Sequence, residues 1–250
     1  MIGRYLRVTA PHFFDFGADS TKVGRDLARP EAWDAVRATA SVFGIAETRE
    51  ALDKCADEQT QIGFRAKAIV RAVRDLRART LASYGVGGAV LEARLIRELA
   101  AHGLSEVQLR LGEFAPSTVE RLHLLFPEAD VQLHDLRSDD PLPADLHLMH
   151  RVDTEFNGPT WSQILSQYQE PVLMVCSDFL TMKGLARETV TRVMRPRATR
   201  AGYVRTEAAF AAMWASSHMS EQRQIGDLVG FLLRRRQSGP VLGSVSPAAR

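Results

Sequence analysis

The chain has 250 residues, 45% of them hydrophobic and 25% charged, with a formal net charge of +2. That is the make-up of a folded soluble protein with ample chain for a sizeable core, and it gives no global pull toward nucleic acid or a membrane surface. No apolar run approaches the ~20 residues of a membrane span, no continuous apolar segment marks a signal peptide, and Cys55 and Cys176 have neither metal-ligand spacing nor a disulfide framework, so a cytoplasmic protein is expected.

Residues 1–79 read as an N-terminal helical cap on the rest of the chain. Pro30 with Glu31 and Asp34 fits a helix start, and Phe64, Ala68, Val70, Val73 and Leu76 recur at helical spacing with arginines on the other side. An alternating series comes next. Strands are expected at 80–84, 106–111, 131–134, 144–150 and 171–176. Helices are expected at 89–101, at 117–126 (where Ser117 and Glu120 match a capping box) and at 159–168. This order predicts a mostly parallel sheet with helices on both faces. A short strand at 202–205, a helix at 206–214 and a strand at 227–234 add an antiparallel edge. Residues 237–250 read as a disordered tail, leaving 80–236 as the main domain.

The most informative segment is Ser83-Tyr84-Gly85-Val86-Gly87-Gly88-Ala89, which leaves a strand and enters a helix. Glycines let the backbone turn sharply and approach a ligand, and the free N–H groups at the helix start can face a carboxylate or phosphate. A nicotinamide-dinucleotide fingerprint needs a third glycine where Val90 stands. A P-loop needs Gly-Lys-Ser/Thr, which is absent. Glu113 ends the second predicted strand, where a carboxylate can accept from both hydroxyls of a ribose, and Phe114 beside it can wall an adenine.

On these residues the chain resembles the class I S-adenosylmethionine (SAM)-dependent methyltransferases, over roughly 78–180 and onward toward 236. Gly85, Gly87 and Ala89 match that family's first motif, with Val86 between the glycines. Glu113 matches its ribose-binding acid, and Asp135, followed by Leu136, falls where the family contacts adenine. The resemblance implies a Rossmann-like α/β fold, SAM as cofactor and direct methyl displacement. The chain departs from it at Ser83, where the family often has an acid, and it lacks the Asn/Asp-Pro-Pro-Tyr of the amino-methylating branch.

Ligands in open α/β sheets bind outside the carboxyl ends of the strands. The densest ionisable set at such an end is His150-Arg151-Val152-Asp153-Thr154-Glu155. His150 is the candidate base for an acceptor hydroxyl, with Asp153 or Glu155 orienting it. The bland alternative is an Arg151–Asp153 ion pair beside a packed His150. No metal is expected. Tyr5, His12, Phe13 and Phe14 are either lid residues or a hydrophobic anchor. The arginines at 192, 195, 197, 200 and 205 and at 234–236 read as solvated, because few aromatics accompany them, so nucleic acid is not an expected partner. The apolar stripe at 208–214 reads as a core face, with a homo-oligomer contact as the alternative. The expectation is methyl transfer to a small or polar acceptor, oxygen mildly preferred. The rivals are a non-catalytic SAM-binding or protein-interaction module and a nicotinamide-dependent oxidoreductase.

Overall fold

A computed structural model describes residues 6–14, 46–196 and 198–236. The helix expected after Pro30, the candidate Tyr5 and the tail at 237–250 lie outside the described residues. Nine strands and seven helices are described: β1 (Thr9–Phe14), α1 (Arg49–Glu58), α2 (Thr60–Leu76), β2 (Thr80–Tyr84), α3 (Val90–Ala101), β3 (Gln108–Glu113), α4 (Pro116–Leu125), β4 (Asp130–Leu133), β5 (Leu146–His150), α5 (Gly158–Ser166), β6 (Val172–Val175), α6 (Met182–Met194), β7 (Thr199–Arg205), α7 (Glu207–Trp214), β8 (His218–Ile225) and β9 (Leu228–Arg235).

Seven strands form one sheet in the order β4-β3-β2-β5-β6-β9-β8. The first five are parallel; β9 runs antiparallel to β6 and β8 antiparallel to β9. This is a Rossmann-like fold with an antiparallel edge. Strand character follows position. Every residue of central β6 (Val-Leu-Met-Val) is buried, whereas the edge strands β4 and β8 carry mostly exposed polar side chains.

The alternation within each strand sorts side chains to two cores. Leu81, Leu111, Leu146, Leu148 and Leu173 face α1, α2 and α3. Ala82, Tyr84, Met149 and Met174 face the layer holding Trp161 of α5 and Phe210 and Trp214 of α7. The 208–214 stripe is therefore core. Helices α1 and α2 share the first core with the sheet.

Several expectations are corrected. The stretch read as wholly helical contains β1, which pairs antiparallel with β7 as a separate two-stranded ribbon, irregular between Pro11 and Phe13. Phe13 and Phe14 are thus strand residues, and Glu188 of α6 accepts from the Phe13 N–H at 3.0 Å and bonds His12 Nδ1 at 3.1 Å. Ser117 is not the N-cap of α4: Pro116 begins the helix behind Ala115, so Ser117 lies inside the first turn. On α2 the buried face runs through Ile62, Ala66, Ile69 and Val73, while Phe64 is 53% exposed. Helix α6 and strand β8 had no expectation. In α6 only Glu188 is buried, so no apolar stripe announces it.

Candidate functional site

The strand order reverses between β2 and β5, so the loops after β2, β3, β4, β5 and β6 converge beside the switch point where open α/β sheets bind ligands. The glycine turn after β2 is tightly constrained. Gly85 has φ +61°, Gly87 φ +54° and Ala89 φ +55°, all left-handed. The Gly85 N–H donates to the Gly112 carbonyl at 2.9 Å, pinning the turn to β3. A Cβ on Gly85 would lie 2.5 Å from Val152 Cγ1, so glycine is what lets the loop after β5 close on this turn. At Gly87 the same imaginary Cβ meets only the Gly85 carbonyl oxygen, at 4.0 Å, so the backbone there is bare. Val86 packs into the α1–α3 core.

Glu113 ends β3 and reaches this turn. It is only 2% exposed. Its Oε2 accepts from the Gly87 N–H at 3.2 Å, and its Oε1 accepts from the Phe114 and Ala115 N–H groups at 3.1 and 3.3 Å. The carboxylate therefore ties the turn to the loop after β3. A second carboxylate lies behind the turn. Glu92, in the first turn of α3 and 2% exposed, accepts from the Ser83 hydroxyl at 2.7 Å. Burial pushes its carboxyl up to about 7, against the Ser83 and backbone donors, with the Glu113 charge adding to the rise.

After β4, Asp135 is partly exposed. Burial raises its pKa, but hydrogen bonds from Arg137 outweigh that and hold it below the usual carboxylate range. The Arg137 guanidinium approaches to 2.6 Å, and the Asp135 N–H donates to Asp139 at 2.7 Å. Leu136 packs with Tyr84 and Leu142 in the second core. The Tyr84 hydroxyl accepts the Leu142 N–H at 3.0 Å and bonds His147 Nδ1 at 3.0 Å, which anchors the 134–145 loop from below.

The loop after β5 separates His150 from Asp153. Arg151 takes φ +60° and redirects the chain. His150, last in β5, falls on the strand face shared by Leu146 and Leu148. Its Nε2 is enclosed without a hydrogen-bond partner. Burial, with the charges of Arg65 and Arg151, pushes its imidazole down to about 3, Asp227 opposing. Arg65 itself is held by Asp227 of the β8–β9 turn through two bonds at 2.7 and 2.8 Å.

Asp153 is 1% exposed and turns toward β6, where its Oδ1 accepts from the Ser177 N–H at 2.9 Å and the Ser177 hydroxyl at 3.0 Å. Burial pushes it up to about 6 despite those donors. His150 and Asp153 form no hydrogen bond with each other, and Arg151 forms no ion pair with Asp153.

The 153–156 segment is strapped from above by β7. The Tyr203 N–H donates to the Thr154 carbonyl at 2.6 Å, and a Cβ on Gly202 would collide with that carbonyl. Arg205, fully buried, donates from Nη1 to the Asp153 carbonyl and from Nη2 to the Phe156 carbonyl. Burial pulls its pKa down to about 10. Arg205 is thus no member of a basic surface, and nothing in its sequence context signals this role.

Gly87 and Glu113 meet directly and Gly85 bonds the neighbouring Gly112, with Val86 and Phe114 flanking them; Asp135 and Leu136 occupy the neighbouring loop. Sequence reasoning did not find Glu92, Val152, Ser177 or Arg205. Glu92 had one signal, a carboxylate in the first turn of the helix that succeeds the glycines. Among the described residues no group of three or more His, Cys, Asp or Glu side chains could hold a metal ion, and no helix is long and apolar enough to cross a membrane.

Compared by sequence, the chain matches no protein-family model and no curated protein. In structure it is similar to human N-acetylserotonin methyltransferase in complex with SAM (TM-score 0.54, 14% identity, 88% of this chain covered). It is also similar to mitomycin 7-O-methyltransferase (0.55, 18%, 88%). A third likeness is to an O-methyltransferase from neocarzinostatin biosynthesis in complex with SAM and 2-hydroxy-5-methyl naphthoic acid (0.50, 14%, 64%). The chain spans 65%, 76% and 50% of those proteins respectively. Its fold is that of the class I SAM-dependent methyltransferases.

Proposed function

We propose that this chain binds SAM over the 85–88 turn and transfers its methyl group to a small-molecule hydroxyl. The observation that carries this reading is the bare backbone at Gly87 joined to the Glu113 carboxylate beside the sheet's switch point. The residues present fit the cofactor. The turn offers backbone that a nucleotide-bearing ligand can lie against, Glu113 would accept from ribose hydroxyls with the lone pairs its backbone partners leave, Phe114 and Leu136 would give apolar surface for adenine, and Asp135 follows the adjacent strand. SAM supplies an electrophilic methyl on a sulfonium, so the chain has only to align the acceptor and exclude water.

In this reading His150 takes the proton of the acceptor hydroxyl. Its imidazole is neutral at physiological pH and its Nε2 has no hydrogen-bond partner, so it can accept a proton. Burial and the Arg65 and Arg151 charges make it a weak base that serves only once acceptor binding opens Nε2 and raises its basicity. Asp153 is a positioning residue. Through Ser177 it fixes the loop that carries Val152 against the glycine turn. The acceptor is a small molecule; neither a nucleic acid nor a membrane is the partner. The free thiols Cys55 and Cys176 fit a reducing cytoplasm.

The enclosure of His150 Nε2 and the strapped 153–156 segment favour, as the second reading, a module that binds SAM without turnover. Calorimetric titration with SAM and S-adenosylhomocysteine, with NAD(H) as control, tests both. Binding of neither sulfur nucleotide by folded protein freed of ligand refutes the cofactor assignment. Binding without S-adenosylhomocysteine production across a panel of hydroxylated acceptors supports the second reading.

A further inference from the structure

We propose that Glu92 is a second carboxylate of the cofactor site, standing in for the acid missing at Ser83, and that it releases a proton when the cationic cofactor binds. This rests on SAM being the ligand of the glycine turn. Ser83 and Glu92 bracket that turn: one lies on β2 just before it, the other in the first turn of α3 just after it. Their 2.7 Å hydrogen bond closes the turn at its base. Glu113 closes the same turn from the side through Gly87. Two buried carboxylates therefore flank one short loop, and the side-chain partner of Glu92 is a neutral hydroxyl.

The charged groups on the packed elements are engaged elsewhere. On α3, Arg94 pairs with Asp57 of α1 and with Glu98, while Arg97 pairs with Asp57 and approaches Asp53. On α2, Arg65 is held by Asp227. From β2 the group facing Glu92 is the Ser83 hydroxyl, and from β3 it is the Glu113 carboxylate. No basic side chain described on these elements neutralises Glu92, so before cofactor binding a proton does so in about half of the molecules near pH 7.

SAM brings a sulfonium and an ammonium group against one carboxylate, a net positive charge. A positive charge at the turn favours the ionised form of Glu92. Binding then drives Glu92 from carboxylic acid to carboxylate, with up to one proton passing to the buffer.

The test is calorimetry of SAM binding from pH 6 to 8, in buffers of differing ionisation enthalpy, on the whole chain and on Glu92→Gln and Ser83→Ala. The intact protein should release about half a proton near pH 7 and bind about tenfold more tightly at pH 8 than at pH 6. Glu92→Gln should release none and lose that dependence, apart from the cofactor's own amino titration, which both proteins share. Ser83→Ala removes a donor to the carboxylate and should shift the dependence to higher pH; it serves as the second probe should Glu92→Gln fail to fold. SAM binding with no proton release, or with release unchanged in Glu92→Gln, overturns the role of Glu92 while leaving the cofactor assignment intact. Failure of the folded intact protein to bind SAM at any pH removes both.

Discussion

The Glu113 carboxylate accepts the backbone N–H of Gly87 at 3.2 Å, making the acid that ends β3 and the turn that leaves β2 a single unit. Replacing Glu113 therefore does two things. Glu113→Ala leaves the Gly87, Phe114 and Ala115 N–H groups without this acceptor and should cost about 1–3 kcal/mol of stability. Glu113→Gln keeps the shape but replaces one acceptor oxygen by a donor, and SAM affinity should fall by about tenfold or more. Denaturant unfolding and calorimetry on both variants separate the two effects. A Glu113→Gln protein that binds SAM like the parent would displace the ribose site from this acid.

Gly85 and Val152 should couple. Gly85→Ala forces a side chain into left-handed backbone, about 1–2 kcal/mol, and drives its Cβ into Val152. Val152→Ala removes the obstacle. The double variant should be less destabilised than the sum of the single ones, by about 1 kcal/mol. Additivity in a double-mutant cycle would mean that the two loops do not press on each other.

His150 should make the protein acid-sensitive. Its folded pKa of about 3 lies below the ordinary histidine value. Its contribution is therefore fully present above about pH 6.5 and is lost as pH falls toward 3. Glu92 and Asp153, whose folded values are raised, act with the opposite sign. The difference between the parent and His150→Asn cancels those shared terms. That difference should change by about 2–3 kcal/mol between roughly pH 6.5 and 4.5, the variant losing less. Parallel stability curves would show that the imidazole charges freely in the native state.

Arg205→Lys should loosen the 153–156 segment. One ammonium cannot serve both the Asp153 and Phe156 carbonyls that the guanidinium spans. Faster amide hydrogen exchange at residues 154–156, with exchange in β2 unchanged, is the expected signature, alongside a stability loss of about 2 kcal/mol. Uniformly faster exchange would instead mark Arg205 as a general core residue.

The sheet was readable because its strands and helices alternate in period between two and 3.6, and β2, α3, β5 and α7 fall within a residue or two of expectation. What failed to read depends on distant partners. Strand β1 contains Pro11 and is strand only because β7 pairs with it. Helix α6 buries one glutamate and no apolar stripe. Glu113 could be found from its place at a strand end, whereas Glu92 makes sense only once α3 is folded back on β2. His150 and Asp153, three positions apart, looked like one constellation, but the left-handed Arg151 between them sends their side chains to different neighbours.

The β1–β7 ribbon has a consequence for the order of assembly. Val8 donates to Thr206 across 198 residues of chain, far beyond the spacing of any β2–β6 contact. Closing so long a loop brings little reward until the loop after β5 already holds β7 in place. On a ribosome the parallel strands can dock in turn as they emerge, but β1 has no mate until β7 has followed all five of them. The ribbon is thus closed late, so the protein should pass through a form in which the parallel strands are built while β1 is still without its partner strand.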